Sequence, residues 1–232
     1  MTKPPMPPRV SVLTADHRHD HYHFPEDATC YFWGEYTSDK GWSYSTTNQL
    51  IANFKKKMNR RGRPDWGYKT AAIEEVATAF TSFWNWSDLH HQHRVVLVPM
   101  PPSKARGDAM YDPRMLQTLQ SIAAKCGLPL DIRDCLSFSG RHVASHETTE
   151  RPTPEALFTD LSFDAAAGRP GEQPGIIFLF DDMLTTGAHY CAASRRLAQH
   201  FPGVQTVGNF VARRIFANPF QDLGDLDNLD AL

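Results

Sequence analysis

Residues Ile176-Ile177-Phe178-Leu179-Phe180 form an apolar run without alternation, and Asp181 and Asp182 follow at once. A strand with one face in water alternates apolar and polar side chains, whereas an unbroken run is buried on both faces. Sheets with two buried faces are covered by helices on both sides, so this run points to an α/β fold rather than a sandwich or a bundle. Val95-Val96-Leu97-Val98 repeats the pattern. The segment 28–36 is rich in β-formers, 204–212 is another strand candidate and 130–136 a weaker one. Helical spacing recurs between them. Ile73, Val76, Phe80 and Phe83 mark a helix over about 69–84; Met115, Leu119, Ile122 and Cys126 mark another that Gly127 ends. A third helix covers 189–200. Strands alternating with helices predict a mainly parallel sheet flanked by helices, with ligands at the carboxyl ends of the strands.

Local signals refine this outline. Thr46-x-x-Gln49 has the pattern of a capping box and opens a short helix with Leu50, Ile51, Phe54 and Met58 on one face. Asp112-Pro113 reads as an N-cap and first-turn pair. His90, His91 and His93 fall in a loop, 165–175 is a linker rich in Ala, Gly and Pro, and 137–157 is a polar, mobile segment.

With 232 residues, 41% of them apolar, the chain suits one α/β domain with decorated ends. The expected layout is a flexible N-terminal tail at 1–24, an N-terminal subdomain at 25–90, a core at 91–220 and an acidic tail at 221–232. A net charge of −2 argues neither for nor against nucleic acid. The basic run Lys55, Lys56, Lys57, Arg60, Arg61 and Arg63 allows electrostatic contact with RNA or DNA, or could point into the active site; a solvated loop is the favoured reading. His17, His19, His21 and His23, interspersed with Asp16 and Asp20, allow metal binding, but a flexible His-rich tail is preferred. The four cysteines have no Cys-x-x-Cys spacing, so a zinc ribbon is not expected, and they read as reduced thiols. No apolar run spans a bilayer and no signal peptide is evident, so the expectation is a cytoplasmic protein without a membrane partner.

The segment from Ile176 to His189 carries the functional argument. A helix start leaves about four backbone N–H groups without partners and adds roughly half a positive charge. A phosphate monoester supplies the acceptors and the countercharge. Thr185 and Thr186 can add hydroxyl donors, and Gly187 lets the backbone approach closely with positive φ. Asp181 and Asp182 would face the sugar of the same ligand, accept hydrogen bonds from vicinal ribose hydroxyls and share a divalent cation. At a strand's end, neutralising the pair should relieve strain rather than add it.

This segment resembles the phosphoribosyl pyrophosphate (PRPP) signature of type I phosphoribosyltransferases, and the ComF-like branch looks closest. The resemblance covers roughly residues 95–212. It implies a phosphoribosyltransferase-like sheet with an added N-terminal subdomain, Mg2+-PRPP as ligand, and transfer of phosphoribosyl to or from a nitrogenous acceptor. Thr185, Thr186, Gly187, Ala188 and His189 would bind the 5-phosphate, although relatives usually carry a hydroxyl residue where His189 stands. Asp181 and Asp182 would take the ribose hydroxyls and, with PRPP, Mg2+. The loop after Val98, with Met100, Pro101, Ser103, Lys104 and Arg106, would bind pyrophosphate. The segment 137–157 would form a hood, with Arg141, His142, His146 and Arg151 as candidate ligands; Arg141, His146 and Arg151 join the aspartates as expected catalytic residues. The four-cysteine zinc finger of many ComF-like proteins is missing. A homodimer is allowed. The rival readings are a non-catalytic PRPP or nucleotide sensor that regulates a partner, and an effector of a bacterial defence or toxin system.

Overall fold

The computed structural model describes residues 3–140 and 152–217. In chain order the strands are β1 (Ser11–Val12), β2 (Cys30–Thr37), β3 (Val95–Pro99), β4 (Asp131–Ile132), β5 (Leu136–Phe138), β6 (Leu161–Phe163), β7 (Ile176–Leu184) and β8 (Thr206–Ile215). The helices are α1 (Thr46–Phe54), α2 (Gly67–Phe83), α3 (Trp86–His91), α4 (Arg114–Cys126), α5 (Pro154–Asp160), α6 (Ala165–Gly168) and α7 (Ala188–His200). Six strands form one sheet in the order β1-β2-β8-β7-β3-β4, and β5 and β6 form a separate antiparallel pair. All neighbours in the large sheet run parallel except β1 against β2. The fold is thus α/β, with a mostly parallel sheet flanked by helices.

The two uninterrupted apolar runs become the central strands for the reason their composition implies. In β7, Ile177 and Leu179 enter the apolar core on one side of the sheet, and Phe178 and Phe180 enter the core on the other. The first side is covered by α7 and the β5–β6 unit, the second by α1, α2 and α4. Phe80 of α2 meets Phe180 edge-on at 5.5 Å between ring centroids. Phe80 and Phe180 are at most 1% exposed, and burying one such ring contributes about 1.5–3 kcal/mol.

Several local expectations shift. Ser45, not Thr46, caps α1: its hydroxyl accepts from the Asn48 N–H at 3.0 Å. The helix ends at Phe54, so Met58 falls in a separate 3-10 turn and off the apolar face. Asp112 does not cap α4, because its carboxylate is drawn into buried ion pairs instead. His90 and His91 close the short helix α3 rather than lying in a loop. The weak strand at 130–136 splits into β4 and β5, which belong to different sheets. Gly127, by contrast, ends α4 with φ +65°, as its position predicted.

The segment 165–175, expected as a linker, is partly organised. Asp164 caps α6 through the N–H groups of Ala166 and Ala167. Buried Arg133 donates to the carbonyls of Gly168 and Glu172 at 2.8 and 2.9 Å. Of the expected hood, 152–157 enters α5, whose first turn is capped by Thr153, while 141–151 lies outside the described residues. The acidic residues beyond 217 also lie outside them.

The N-terminal regions are built onto the same sheet. Residues 30–37, placed with the N-terminal subdomain, form β2 and pair in parallel with β8. The histidine-rich segment, expected as a flexible tail, adds β1 and a 3-10 helix over Ala15–His21. His21 is fully buried. All four cysteines are free thiols. Among the described residues, no helix is long and apolar enough to cross a membrane.

Candidate functional site

The loops after β3 and β7 leave one edge of the sheet side by side. Pro99 pairs with Phe180, and the Met100 N–H donates to the Phe180 carbonyl at 2.7 Å. This is the carboxyl end of adjacent parallel strands, where ligands of such sheets bind.

The acidic pair lies within β7 rather than in the loop beyond it. Successive side chains of a strand face opposite ways. Asp182 follows Phe178 and Phe180 towards α1 and α4, where it is buried. Lys55, just after α1, donates to Oδ1 at 3.1 Å. Arg114, at the start of α4, donates through Nε to Oδ2 at 2.9 Å and through Nη2 to the same oxygen. Arg114 Nη1 also reaches Asp112 Oδ2 at 2.7 Å, and buried Lys69 donates to that oxygen at 2.8 Å. The result is a file of alternating charges: Lys69, Asp112, Arg114, Asp182, Lys55. Lys69 further donates to the Phe54 carbonyl at 2.7 Å, which fixes the backbone immediately before Lys55.

The two aspartates consequently differ. Burial works against the charged form of Asp182, but Lys55 and Arg114 outweigh it and hold its pKa below the usual carboxylate range. Burial, together with the neighbouring Asp182 charge, pushes Asp181 up to about 7. Its Oδ1 accepts a hydrogen bond from the Asp182 N–H at 2.7 Å. Adjacent like charges separate into one firmly ionised group and one that protonates near neutrality.

The loop Thr185–Gly187 lies between β7 and α7. Gly187 has φ +89°, and a Cβ there would sit 2.6 Å from the Phe24 backbone nitrogen, so both conformation and space require glycine. The Thr185 carbonyl accepts from His21 Nδ1, and the Thr186 carbonyl accepts from the His23 N–H at 2.8 Å. No peptide here is cis. In a trans peptide N–H and C=O point in opposite directions, so the N–H groups of Thr186 and Gly187 both point away from the N-terminal segment. Neither finds an acceptor among the described residues. The Ala188 N–H meets Thr186 Oγ1 only at 3.4 Å. With the first turn of α7 behind it, the loop offers converging donors and a positive helix end to an anion. His189 is half-buried, its ring edge-on to Phe138 at 5.9 Å. Burial, against the Asp182 charge, lowers it to about 4, so at neutral pH it offers an uncharged ring.

The β3 loop is less uniform. Met100 and Pro101 are buried, and Ser103 and Lys104 are partly exposed. Arg106 is turned to Asp134, donating to its carboxylate at 2.5 Å and its carbonyl at 2.8 Å. Arg141, His142, His146 and Arg151 lie outside the described residues. A groove of about 680 Å³ opens elsewhere, beside Trp33, Glu35, Tyr44 and Phe216, and shares no residue with these loops.

The basic run divides on folding. Lys55 joins the acidic pair, whereas Lys56 and Arg60 bind Asp65. Arg114, Asp112, Lys69 and His21 were not singled out as site residues by sequence reasoning. Two left signals. Lys69 falls on the stripe of Ile73, Val76 and Phe80, where a charge needs a buried partner. Arg114 sits in the first turn of a helix, where a cation is disfavoured unless paired. His21 left none beyond its charged neighbours.

No model of a known protein family matches this chain, and no curated protein matches it significantly.

Proposed function

We propose that this chain binds a ribose 5-phosphate ester, with PRPP the preferred candidate, and acts as a phosphoribosyltransferase. The observation that carries the reading is the pair of N–H groups at Thr186 and Gly187, held in one direction and without acceptors among the described residues, ahead of α7 at the end of β7. A phosphate monoester there meets the Thr186, Gly187, Ala188 and His189 amides and the two threonine hydroxyls. The sugar then lies over β7. Asp181 is the carboxylate suited to its hydroxyls, because both oxygens of Asp182 are engaged. Mg2+ enters as part of the substrate. Among the described residues no cluster of three acidic, His or Cys side chains could hold a metal independently, and Asp181 is the group not tied to a cation.

In the transfer, the bond from ribose C1 to pyrophosphate breaks and a bond to an acceptor nitrogen forms. Positive charge builds on the sugar ring, and the protein's part is chiefly positioning and charge stabilisation. Asp182 stays ionised, but Lys55 and Arg114 already match its charge, so its part is to orient the end of β7 rather than to stabilise the sugar cation. Asp181 can hold or release the proton lost by the acceptor nitrogen. Ser103 and Lys104 are the proposed pyrophosphate donors; Arg106 would first have to leave Asp134.

The doubly bridged Asp182 favours a second reading, a non-catalytic sensor in which the charge file locks the site. Calorimetry with PRPP and Mg2+, followed by pyrophosphate release across purines, pyrimidines and amines, separates the two. Binding with turnover identifies the transferase, and binding without turnover the sensor. No heat at millimolar PRPP removes both.

A further inference from the structure

We propose that His21 is a positioning residue for the anion-binding loop, and that the segment from Arg18 to Phe24 is a strap that sets the direction of the Thr186 and Gly187 N–H groups. This rests on reading that loop as a phosphate cradle. The contacts are specific and come from far away in sequence. His21 is fully buried, and its Nδ1 meets the Thr185 carbonyl across 164 residues. A carbonyl can only accept, so Nδ1 carries the proton. Burial lowers the ring's pKa despite that hydrogen bond, which keeps the imidazole neutral in this tautomer. Two residues on, the His23 N–H holds the Thr186 carbonyl. The two carbonyls of the loop are therefore fixed on the strap side, and planarity sends the paired N–H groups the other way.

The strap is itself anchored. Arg18 donates to the carbonyls of Pro25 and Ala28 at 2.6 and 3.2 Å. Phe24 stacks on Tyr190 of α7, with ring centroids 4.3 Å apart. Its backbone also fills the space beside Gly187 that a side chain there would need. A single rigid unit thus grips the loop at Thr185, Thr186 and Gly187 and the helix behind it at Tyr190. A mere cover for apolar surface would not need two hydrogen bonds to consecutive loop carbonyls.

The test uses the full chain with His21→Ala and His21→Asn. An asparagine amide can donate from nearly the place of Nδ1, so it should rescue positioning while changing ring and volume. Two readouts are taken well below each variant's Tm: the 1H–15N shifts of the Thr186 and Gly187 amides, and the affinity for ribose 5-phosphate by calorimetry. The expected result is displaced amides and an affinity loss on the order of tenfold or more in His21→Ala, both largely restored in His21→Asn. A purely structural role would lower Tm yet leave the amides and the affinity of the folded protein unchanged, and that outcome overturns the proposal. Should His21→Ala not fold, native amide shifts in His21→Asn uphold it and displaced ones overturn it. If the unmodified protein binds no ribose 5-phosphate, the phosphate reading fails, and the amide shifts still decide whether His21 orients the loop.

Discussion

The two faces of β7 handle polar groups in opposite ways. Towards α1 and α4, Asp182 has both oxygens bridged by cations, within a file that runs from Lys69 to Lys55. On the other face of the same strand Asp181 is only half-buried, and past the strand's end the Thr186 and Gly187 N–H groups have no acceptor among the described residues. Chemical type does not separate these regions, since adjacent aspartates fall one on each side. Strand alternation does. A closed network stabilises and orients, whereas the buried Thr186 and Gly187 donors lack a protein acceptor among the described residues.

The largest effect should come from breaking the closed side. Asp182→Ala takes one of two carboxylate partners from the mostly buried Arg114, which keeps Asp112, and leaves the partly exposed Lys55 without the carboxylate it binds. Removing one partner from a buried ion pair costs about 3–5 kcal/mol; water reaches Lys55 and Arg114 keeps Asp112, so urea denaturation should show a loss at the lower end of that range. The expectation that neutralising the pair relieves strain is thus reversed for Asp182. A stability unchanged by Asp182→Ala would make the file decorative.

Gly187→Ala attacks the open side. A left-handed conformation costs an L-residue about 1–2 kcal/mol, and the new Cβ must also push Phe24 away. Moderate destabilisation should accompany a marked loss of phosphate-ester affinity. Full affinity in this variant would break the link between strap and loop.

Asp181→Asn sharpens the contrast through pH. A folded-state pKa raised to about 7 contributes stability that is complete below the unfolded value near ~4 and is lost as pH rises through about 7. Asp182 has the opposite sign: its lowered pKa contributes stability above ~4 that is lost only at strongly acidic pH. Tm measured from pH 5 to pH 8 should decline for the parent protein and flatten in Asp181→Asn. Parallel curves would mean that Asp181 ionises like an exposed carboxylate.

What the sequence disclosed follows the same division. The β7 and β3 runs, the helices behind Ile73 and Met115 and the glycine at 187 were legible, because burial and backbone geometry restrict residue type locally. The partners of Asp182 were not. Lys55 and Arg114 lie 127 and 68 residues away, and only the sheet order brings them together. Asp112 misled because Asp before Pro has the form of a cap, while its real partners, Lys69 and Arg114, are set by tertiary packing. The alternating histidines at 17–23 carried no pattern that distinguished the fully buried His21 from the less buried His17, His19 and His23.

Arg106→Ala should have the smallest effect. Its exposed pair with Asp134 is worth about 0–1 kcal/mol, and with the side chain turned to Asp134 the affinity for PRPP should fall only slightly. A large loss would place Arg106 on the pyrophosphate after all.

The central claim is that the Thr186 and Gly187 amides receive a phosphate monoester, and titrating the 15N-labelled protein with ribose 5-phosphate tests it most directly. Both amide protons should move downfield together and saturate, with little change in Asp182's partners on the far face of β7. If the two resonances stay in place at millimolar ligand, the loop is not a phosphate site.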